Sequence, residues 1–390
     1  MRFLIVTQSF AGPNTQPWLV DDLANSLVAR GHLVDVLVSQ AKIPRPKGEM
    51  PGTVPGLRVF SVGVESPRVT SVEKLLGYIQ TGISLHTAGF RWVKENPYDF
   101  CIFFSIGSFT WGFPRRVRTC GLTKKLVFFL WDFFPVHQLD IGRIRLTKFE
   151  WVMKAIEQWS FKSADVVALM SPANTRFFHR YFPKARNRIV EIPPWASAKM
   201  ETPESKSLDS LQVLFGGQLA KGRGLDTLLA AAELLMVQSV DIEIVIAGDG
   251  PERKRLQEKA ESRQLTNIKF MGSLPRDEYR QLALTCDVGV AITVEGVSPP
   301  TFPSKIVEYC RLQLPVLVCT EASSDAGEIV AENGAGLSIS AGDPELLAAA
   351  LMTLREKKQA GELEGMAEQA GSLYQSKFSV ERVVESLEKL

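Results

Sequence analysis

The residues best suited to chemistry lie at the start of a predicted helix, in the segment Pro303-Ser-Lys-Ile-Val-Glu-Tyr309. Ser304 and Lys305 fall in its first turn, where free N–H groups and the helix dipole attract an anion. Glu308 follows one turn later on the same side. A diphosphate at this helix end would place its ribose beside Glu308, whose carboxylate can accept vicinal hydroxyls. The spacing alone equally allows a Lys305–Glu308 surface ion pair, worth only ~0.3–0.5 kcal/mol.

A glycine-rich loop is the second candidate. The segment Phe215-Gly-Gly-Gln-Leu-Ala-Lys-Gly-Arg-Gly224 follows a predicted strand and opens a predicted helix. Its four glycines let backbone N–H groups approach a phosphate, and Lys221 and Arg223 supply positive charge. The spacing fits neither a P-loop nor the dinucleotide-binding pattern. A flexible structural turn is the alternative, which the two cations disfavour. The turn Gly248-Asp-Gly-Pro-Glu252 after another strand is a weak signal by itself.

In the first half of the chain, a very apolar strand ends in Phe128-Phe-Leu-Trp-Asp-Phe-Phe-Pro-Val-His137. A carboxylate at the end of a strand, beside aromatic rings, suits a sugar, because the rings cover its apolar face while the carboxylate accepts from a hydroxyl. Asp132 and His137 are therefore candidates to orient a sugar. The alternatives are a helix cap for Asp132 and a surface or hydrogen-bonded histidine for His137.

The net charge of +2 conceals a division along the chain. Residues 1–200 contain 26 Lys+Arg against 14 Asp+Glu, a net of +12, whereas the remainder has a net of −10. Two stretches in the first half, 111–125 and 143–162, combine Lys and Arg with Trp and Phe. Such stretches suit an anionic membrane surface. Nucleic acid would give a similar footprint, and a solvated helix face over a core is the third interpretation.

Composition excludes several classes of protein. With 45% hydrophobic and 23% charged residues, the chain has the composition of a soluble globular protein of about two domains. We predict no membrane span and no signal peptide. The five cysteines form no C-x-x-C pair and are predicted to be reduced and mostly buried. Four histidines without metal-ligand spacing, and the lack of an Asp-x-Asp motif, predict that no metal is used. We expect a cytoplasmic protein.

Short apolar runs alternate with segments of helical period, which indicates α/β domains with parallel sheets. Residues 193–210, rich in Pro, Ser and charge, are predicted to link two doubly wound domains. Pro251, Pro275 and Pro303 are expected at helix starts. The predicted strands are Arg2–Thr7, Leu33–Ser39, Asp99–Ser105, Lys125–Trp131 and Asp165–Met170, then Gln212–Phe215, Ile242–Ala247, Ile268–Met271, Val288–Ile292, Pro315–Cys319 and Gly336–Ile339.

Over nearly its whole length the sequence resembles the retaining glycosyltransferases of family 4, of the type that acts in bacterial surface-polysaccharide assembly. The order and spacing of several motifs support this resemblance. They are Leu211-Gln-Val-Leu-Phe-Gly-Gly-Gln-Leu, Arg223-Gly-Leu-Asp-Thr-Leu-Leu, Ile244-Val-Ile-Ala-Gly-Asp-Gly-Pro-Glu252, Phe270-Met-Gly-Ser-Leu-Pro275, Cys286-Asp-Val-Gly-Val290, and Pro303-Ser-Lys-Ile-Val-Glu-Tyr309 with Leu314-Pro-Val316.

The resemblance implies the GT-B fold, in which two Rossmann-like domains face a central cleft. It implies an acceptor domain at 1–195, a nucleotide-sugar domain at 196–372, and a helix at 373–390 that packs back on the first domain. Arg223 matches the diphosphate-binding lysine of the family, and Glu308 matches the second glutamate of its E-x7-E motif. The implied donor-binding residues are Gly217, Gln218, Lys221, Arg223, Gly250, Ser273, Leu274, Ser304, Lys305 and Glu308.

Three departures from the family pattern affect the site. Gln218 replaces the usual arginine, and Lys221 or Lys305 could substitute for its charge. Pro300 occupies the position of the first glutamate of E-x7-E and cannot take its role. In the first domain, Asn14 and Thr15 replace the usual glycine pair, and Trp131 replaces the usual histidine. Gly12, Asn14, Thr15 and Asp132 are expected on the acceptor or sugar side.

Together these points predict a metal-independent, retaining transfer of a hexose from a UDP-sugar, UDP-glucose or a related hexose, to a sugar or lipid-linked acceptor. Asp132, His137, Arg223 and Lys305 are the expected catalytic residues, with preorganised charge stabilising the leaving diphosphate. The basic first half would contact an anionic membrane from the cytoplasmic side, and no nucleic-acid partner is expected. The alternatives are a UDP-sugar epimerase with the same fold and a non-catalytic nucleotide-binding member.

Overall fold

The computed structural model describes residues 1–11, 19–39, 47–50, 54–62, 71–144, 147–197 and 210–390. These residues form two compact units. The first contains Met1–Leu139, Ile144–Ile192 and Val383–Leu390, and the second contains Asp140–Arg143 and Pro193–Arg382. Of the predicted linker 193–210, residues 198–209 lie outside the described part of the chain.

The first unit is built on a sheet to which the described residues contribute eight strands. These are β1 (Arg2–Thr7), β2 (Leu33–Val38), β3 (Gly48–Met50), β4 (Leu57–Ser61), β5 (Tyr98–Phe104), β6 (Thr123–Phe129), β7 (Val166–Leu169) and β8 (Arg188–Glu191). Their order is β3-β4-β2-β1-β5-β6-β7-β8, and only the β3–β4 pair is antiparallel. The first strand, β1, therefore lies in the middle of the sheet, and the direction in which successive strands are added reverses between β1 and β5.

Helices cover this sheet because its central strands are apolar on both faces. Stacked rings fill one side of the core: Phe128 lies 4.5 Å from Phe103 and 5.6 Å from Phe161, measured between ring centroids. The helices are α1 (Leu19–Ala29), α2 (Ser71–Ser84), α3 (Phe90–Val93), α4 (Phe113–Thr119), α5 (Val136–Asp140), α6 (Glu150–Phe161) and α7 (Pro172–Tyr181).

The second unit contains a fully parallel sheet. Its six described strands are β9 (Leu211–Gly216), β10 (Ile242–Ala247), β11 (Ile268–Gly272), β12 (Val288–Ile292), β13 (Val316–Thr320) and β14 (Gly336–Ser340), in the order β11-β10-β9-β12-β13-β14. This is the doubly wound arrangement of dinucleotide-binding domains. In such sheets a ligand binds beyond the carboxyl ends of the strands where the winding reverses, here between β9 and β12.

The helices of the second unit are α8 (Leu225–Val237), α9 (Arg253–Ser262), α10 (Arg276–Thr285), α11 (Ser304–Arg311), α12 (Ala326–Glu332), α13 (Pro344–Gln359) and α14 (Leu363–Leu373). A π-helical turn, Tyr374–Phe378, follows α14, and α15 (Val380–Glu388) ends in the first unit. Buried leucines of α8, Leu228, Leu229 and Leu235, join α13 and the sheet in one core.

The predicted α/β class and doubly wound organisation are confirmed, and the bounds of β1, β10 and β12 agree with the prediction. The prolines differ slightly from expectation. Pro275 and Pro303 are the capping residues before α10 and α11, and Pro251 lies two residues before α9. A proline there lacks only an N–H that the helix would leave unpaired. Four of the five cysteines are buried, and Cys120 is exposed. Among the described residues, no helix is long and apolar enough to cross a membrane.

Candidate active site

The loops that follow β9 and β10 form the floor of the candidate site. The N–H of Gly217 donates to the Ala247 carbonyl at 2.9 Å, and the N–H of Leu219 donates to the Asp249 carbonyl at 2.9 Å. Gly248 is required by this packing, because its φ is +155° and a Cβ there would lie 1.8 Å from the Gly217 carbonyl oxygen. Gly250 is required for the same reason, because a Cβ there would lie 2.3 Å from the Leu219 carbonyl oxygen. Two glycine segments that are separate in the sequence thus form one backbone surface.

This packing predicts that Gly248→Ala destabilises the second unit. The substitution combines a left-handed backbone with a clash against main-chain atoms that cannot move aside. We expect the free energy of unfolding to fall by about 3 kcal/mol or more. Gly365→Ala is the control, because nothing lies within 4 Å of its added Cβ and alanine should stabilise α14 by about 0.5–1 kcal/mol. Urea titration of both variants measures the difference, and similar midpoints would contradict the assigned packing.

The loop that follows β12 closes the site from the other side of the winding reversal. A Cβ at Gly224, which caps α8, would lie 2.3 Å from the Thr293 carbonyl oxygen. The buried Glu321 carboxylate holds the loop, since it accepts from the Thr293 hydroxyl and from the Thr301 N–H, each at 2.7 Å. Pro300, at the position of the missing family glutamate, is buried in this loop. Glu321 is a structural residue that sequence analysis did not single out.

Lys305, in the first turn of α11, reaches the glycine floor. Its Nζ lies 4.8 Å from the centroid of the Tyr279 ring, and its Cε is 3.7 Å from the position of a Cβ on Gly217. Burial lowers the pKa of Lys305, the charge of Glu308 opposes this, and the charges of Arg276 and Arg223 add to the lowering. A bound anion would relieve the repulsion among these cations.

Glu308 forms its ion pair with Arg311, one turn further along α11. Its Oε1 is 2.8 Å from Nη2 of Arg311 and its Oε2 is 3.3 Å from Nε, and the Arg311 side chain is only 3% exposed. Burial opposes ionisation of Glu308, but the hydrogen bonds and charge of Arg311, with the charges of Lys305 and Arg276, lower the pKa below its ordinary value. The carboxylate is therefore ionised and held in one orientation. The spacing allows an ion pair with Lys305, whereas the structure pairs Glu308 with Arg311, which the sequence did not indicate.

Two tyrosines hold the end of β9 in place. The Tyr309 hydroxyl accepts from the Gly216 N–H at 2.9 Å and donates to the Leu214 carbonyl at 3.3 Å. A Cβ at Gly216 would lie 2.1 Å from the Tyr279 hydroxyl oxygen. Burial raises the pKa of Tyr279 well above its ordinary value, so its hydroxyl stays neutral. Packing contacts of this kind carry no sequence signal beyond the aromatic residue itself.

The predicted donor residues thus fall into two groups. The first group lies together: Gly217 and Gly250 belong to the glycine floor, and Lys305 interacts electrostatically with Arg223 and Glu308. Gln218, Lys221, Ser273 and Ser304 are exposed, and Leu274 is half-buried. Ser273 and Leu274 follow β11, whose final residue Gly272 accepts from the Gly248 N–H at 2.8 Å. Arg276, at the start of α10, joins the cluster and was not predicted. The cluster holds several cations and one carboxylate, which suits a diphosphate and a ribose.

An exposed ion-pair group links α8, which begins at the glycine loop, to α9. Asp226 accepts from Arg255 at 2.9 and 2.7 Å and from Lys259 at 2.5 Å. The hydrogen bonds from Arg255 lower the pKa of Asp226 most, burial opposes them, and the hydrogen bond from Lys259 adds to the lowering, which brings the pKa to about 2 from its ordinary 3.8. A carboxyl group whose pKa is lower in the folded than in the unfolded state stabilises the fold at pH values above its unfolded-state pKa. This stabilisation is lost as the pH falls towards the folded-state pKa of about 2.

We therefore expect Asp226→Asn to lose less stability than the wild type between pH 5 and pH 2, roughly the window set by the two pKa values. Thermal unfolding across this range measures the effect. Asp277→Asn is the control because its carboxylate is 89% exposed. Parallel pH profiles for wild type and Asp226→Asn would show that the ion-pair group contributes nothing.

In the first unit, Asp132 and His137 are neighbours at the carboxyl end of β6. Asp132 Oδ1 lies 3.8 Å from His137 Nδ1, and the Asp132 side chain is 50% exposed. The N–H of Asp132 donates to the Ser105 hydroxyl at 3.1 Å, which ties the loop to the end of β5. Because α5 begins only at Val136, Asp132 is not the cap of that helix. The expected acceptor-side residues Gly12, Asn14 and Thr15 lie outside the described residues.

Glu157 is a buried carboxyl that the sequence did not reveal. It projects from α6 and accepts from the Gly107 N–H at 2.7 Å and the Ser108 N–H at 3.1 Å. Burial raises its pKa, the two hydrogen bonds oppose this, and the charge of Asp132 raises it further. Glu157 fixes the loop after β5, beside the winding reversal of the first sheet. Among the described residues, no group of three or more His, Cys, Asp or Glu could hold a metal ion.

Comparisons with known proteins agree with this architecture. Two family models match, "Glycosyl transferase 4-like domain" over residues 18–195 and "Glycosyl transferases group 1" over residues 198–372. Two doubly wound units with matching strand order define the GT-B class of fold. The chain belongs to the group 1 glycosyltransferases, as its resemblance to family 4 predicted.

Individual relatives are distant. The chain is 23% identical over 184 residues to the putative colanic acid biosynthesis glycosyl transferase WcaI of Escherichia coli K12. The matched region covers 44% of this chain and 44% of the relative. Among solved structures, it resembles sucrose-phosphate synthase from Thermosynechococcus elongatus (TM-score 0.77, 16% identity, 100% and 97% coverage). It also resembles the UDP-forming trehalose-phosphate synthase from Burkholderia xenovorans (TM-score 0.73, 12% identity, 100% and 99% coverage). The chain spans less than half of the curated relatives it matches, and the structures show the shared fold.

Proposed function

We propose that this protein is a retaining glycosyltransferase that moves a hexose from a UDP-sugar, in the first instance UDP-glucose, to a sugar or lipid-linked oligosaccharide acceptor in polysaccharide biosynthesis. One observation carries the proposal. Lys305, Arg223 and Arg276 act together beside the glycine floor at the winding reversal, with the Glu308 carboxylate held by Arg311. This arrangement offers charge to a diphosphate and an acceptor to ribose hydroxyls.

In the proposed reaction, the bond between the anomeric carbon and the diphosphate oxygen breaks, and its electron pair leaves with UDP. The acceptor hydroxyl attacks the same face of the sugar, and its proton passes to the departing phosphate oxygen. Lys305 and Arg223 stabilise the charge that develops on the diphosphate. The cations of the protein supply this charge without a metal, so we expect EDTA to leave turnover unchanged. Asp132 and His137 orient the sugar or the acceptor.

Incubating the purified chain with radiolabelled UDP-glucose tests the proposal. Slow release of UDP and glucose without an acceptor supports a transferase, because water replaces the missing hydroxyl. An epimeric nucleotide sugar would instead identify an epimerase. Binding without turnover, the outcome that Gln218 and Pro300 would favour, would identify a non-catalytic member. Thermal shift with a panel of nucleotide sugars then identifies the donor, since at equal concentration the ligand that binds most tightly raises the apparent stability most.

The charge of the first 200 residues supports a membrane partner. Their net of +12 would attract an anionic bilayer or a lipid-diphosphate acceptor. We propose peripheral attachment at the cytoplasmic face of the membrane and no binding of nucleic acid. Vesicle binding that weakens as salt is raised is the expected behaviour of such attachment.

A further inference from the structure

Helix α2 exposes three large apolar side chains among residues 76–84, the part of the helix whose side chains the structure describes. Leu76, Ile79 and Ile83, spaced three and four residues apart, are 60%, 42% and 61% exposed. Within residues 76–84 the buried residues are Gly77, Gly82 and Thr81, whose hydroxyl donates to the Gly77 carbonyl of the same helix. A helix that packs on a soluble core normally shows the opposite distribution.

Helix α6 also exposes large apolar side chains. Its exposed residues include Trp151, Ile156 and Trp159, of which Trp151 is 72% exposed. Its buried face carries Phe161, which belongs to the core, together with the polar residues Glu157 and Ser160. Two large indole rings in solvent are unfavourable unless they are covered by another apolar phase.

Trp111 joins the two helices into one surface. A Cβ on Gly82 of α2 would lie 2.8 Å from the Trp111 ring, and a Cβ on Gly112 would lie 2.4 Å from the ring of Trp159 on α6. Of fourteen large apolar side chains that are exposed among the described residues, eight belong to this surface. They are Leu76, Ile79, Ile83, Trp111, Phe149, Trp151, Ile156 and Trp159, and we call them the α2–α6 surface.

Cations surround this apolar area. The Arg115 guanidinium lies 5.5 Å from the centroid of the Trp159 ring, and Lys148 and Lys162 are exposed at the two ends of α6. Exposed tryptophans with flanking Lys and Arg match the interfacial layer of a bilayer, where indole rings lie at headgroup depth and cations meet phosphates. A contact between two copies would instead bring together two halves of net charge +12, which disfavours it.

We propose that the α2–α6 surface inserts into the interfacial layer of an anionic lipid bilayer and docks the first unit there. The inference deepens the proposed membrane attachment by assigning it to particular side chains. It does not depend on the identity of the donor sugar.

The test is co-sedimentation of the full chain with vesicles of phosphatidylcholine containing phosphatidylglycerol. For Ile83→Ser/Trp151→Ser we expect vesicle affinity to fall at least about tenfold, since two apolar side chains no longer leave water. Both side chains are exposed, so the fold should be retained. The matched control is Val237→Ser/Leu346→Ser, whose side chains are exposed on the second unit, and it should bind as the wild type does.

Two results would overturn the inference: wild-type affinity for vesicles in Ile83→Ser/Trp151→Ser, or no vesicle binding by the wild type. A wild-type dimer in solution that this double substitution dissociates would also overturn it, in favour of a contact between copies. Thermal stabilisation by UDP, measured on the same preparations, reports on the donor site separately. Loss of vesicle binding with unchanged UDP stabilisation supports the membrane role, whereas absent UDP stabilisation in the wild type would count against the proposed function alone.

Discussion

Lys305→Ala is expected to lower the turnover of UDP-sugar by about 100- to 1000-fold, the range seen when one preorganised group that stabilises developing charge is removed. Lys305 lies against the glycine floor, with its Cε 3.7 Å from the position that a Cβ on Gly217 would take. Burial and the neighbouring arginines lower the pKa of Lys305. A bound diphosphate would therefore stabilise the charged form of this lysine. Release of UDP in single-turnover conditions measures the loss.

Lys254→Ala is the matched control, because this lysine of the same unit has a 90% exposed side chain and no contact with the glycine floor is assigned to it. It should turn over as the wild type does. A fall in kcat with little change in the affinity for UDP would indicate that Lys305 acts mainly in the transition state. Normal turnover in Lys305→Ala would remove it from the reaction and contradict the assigned site.

The second large effect is expected at Glu308, where binding and stability can be separated. Glu308→Ala should weaken UDP binding by about 10- to 100-fold, because charged hydrogen bonds to the ribose are lost. It should also lower the free energy of unfolding by about 2–3 kcal/mol, since it leaves the buried Arg311 guanidinium without this partner. Isothermal titration with UDP and urea unfolding measure the two effects.

The double substitution Glu308→Ala/Arg311→Met separates these effects. Removing the Arg311 charge as well should recover part of the lost stability, since the variant no longer contains a buried cation without the Glu308 carboxylate. UDP binding should remain weak, because the carboxylate is still missing. If the double variant binds UDP as the wild type does, Glu308 has no role in the donor site and its ion pair is purely structural.

Much of the fold could be predicted because central parallel strands are continuous apolar runs. This is why β1, β10 and β12 were placed correctly. The strands β4 and β8 lie towards or at an edge of the first sheet, and their alternating or polar sequences, Leu-Arg-Val-Phe-Ser and Arg-Ile-Val-Glu, gave no comparable signal. Edge pairing depends on the neighbouring strand, which local sequence does not contain.

The site was predictable where its function depends on local chain geometry. The glycine loop and the first turn of α11 are such segments, and they are close in the structure, as Gly217 and Lys305 show. The partners of these residues were not predictable. Glu308 has Lys305 and Arg311 each three residues away, and the spacing alone does not tell which one it pairs with; in the structure it pairs with Arg311. Arg276 and Glu321 come from other strand-to-helix loops, and only the order of strands brings them near.

The first unit combines most of residues 1–192 with the distant segment Val383–Leu390, and this affects the order in which its parts are synthesised. Glu388 forms hydrogen bonds with Arg30 at 2.7 Å and with His32 at 2.8 Å, and Arg30 precedes it by 358 residues. At roughly 5–20 residues per second, a ribosome needs on the order of 20–70 s to make the intervening chain. The nascent first sheet is therefore made well before the carboxyl-terminal helix that completes its unit, because the whole second unit is synthesised between them.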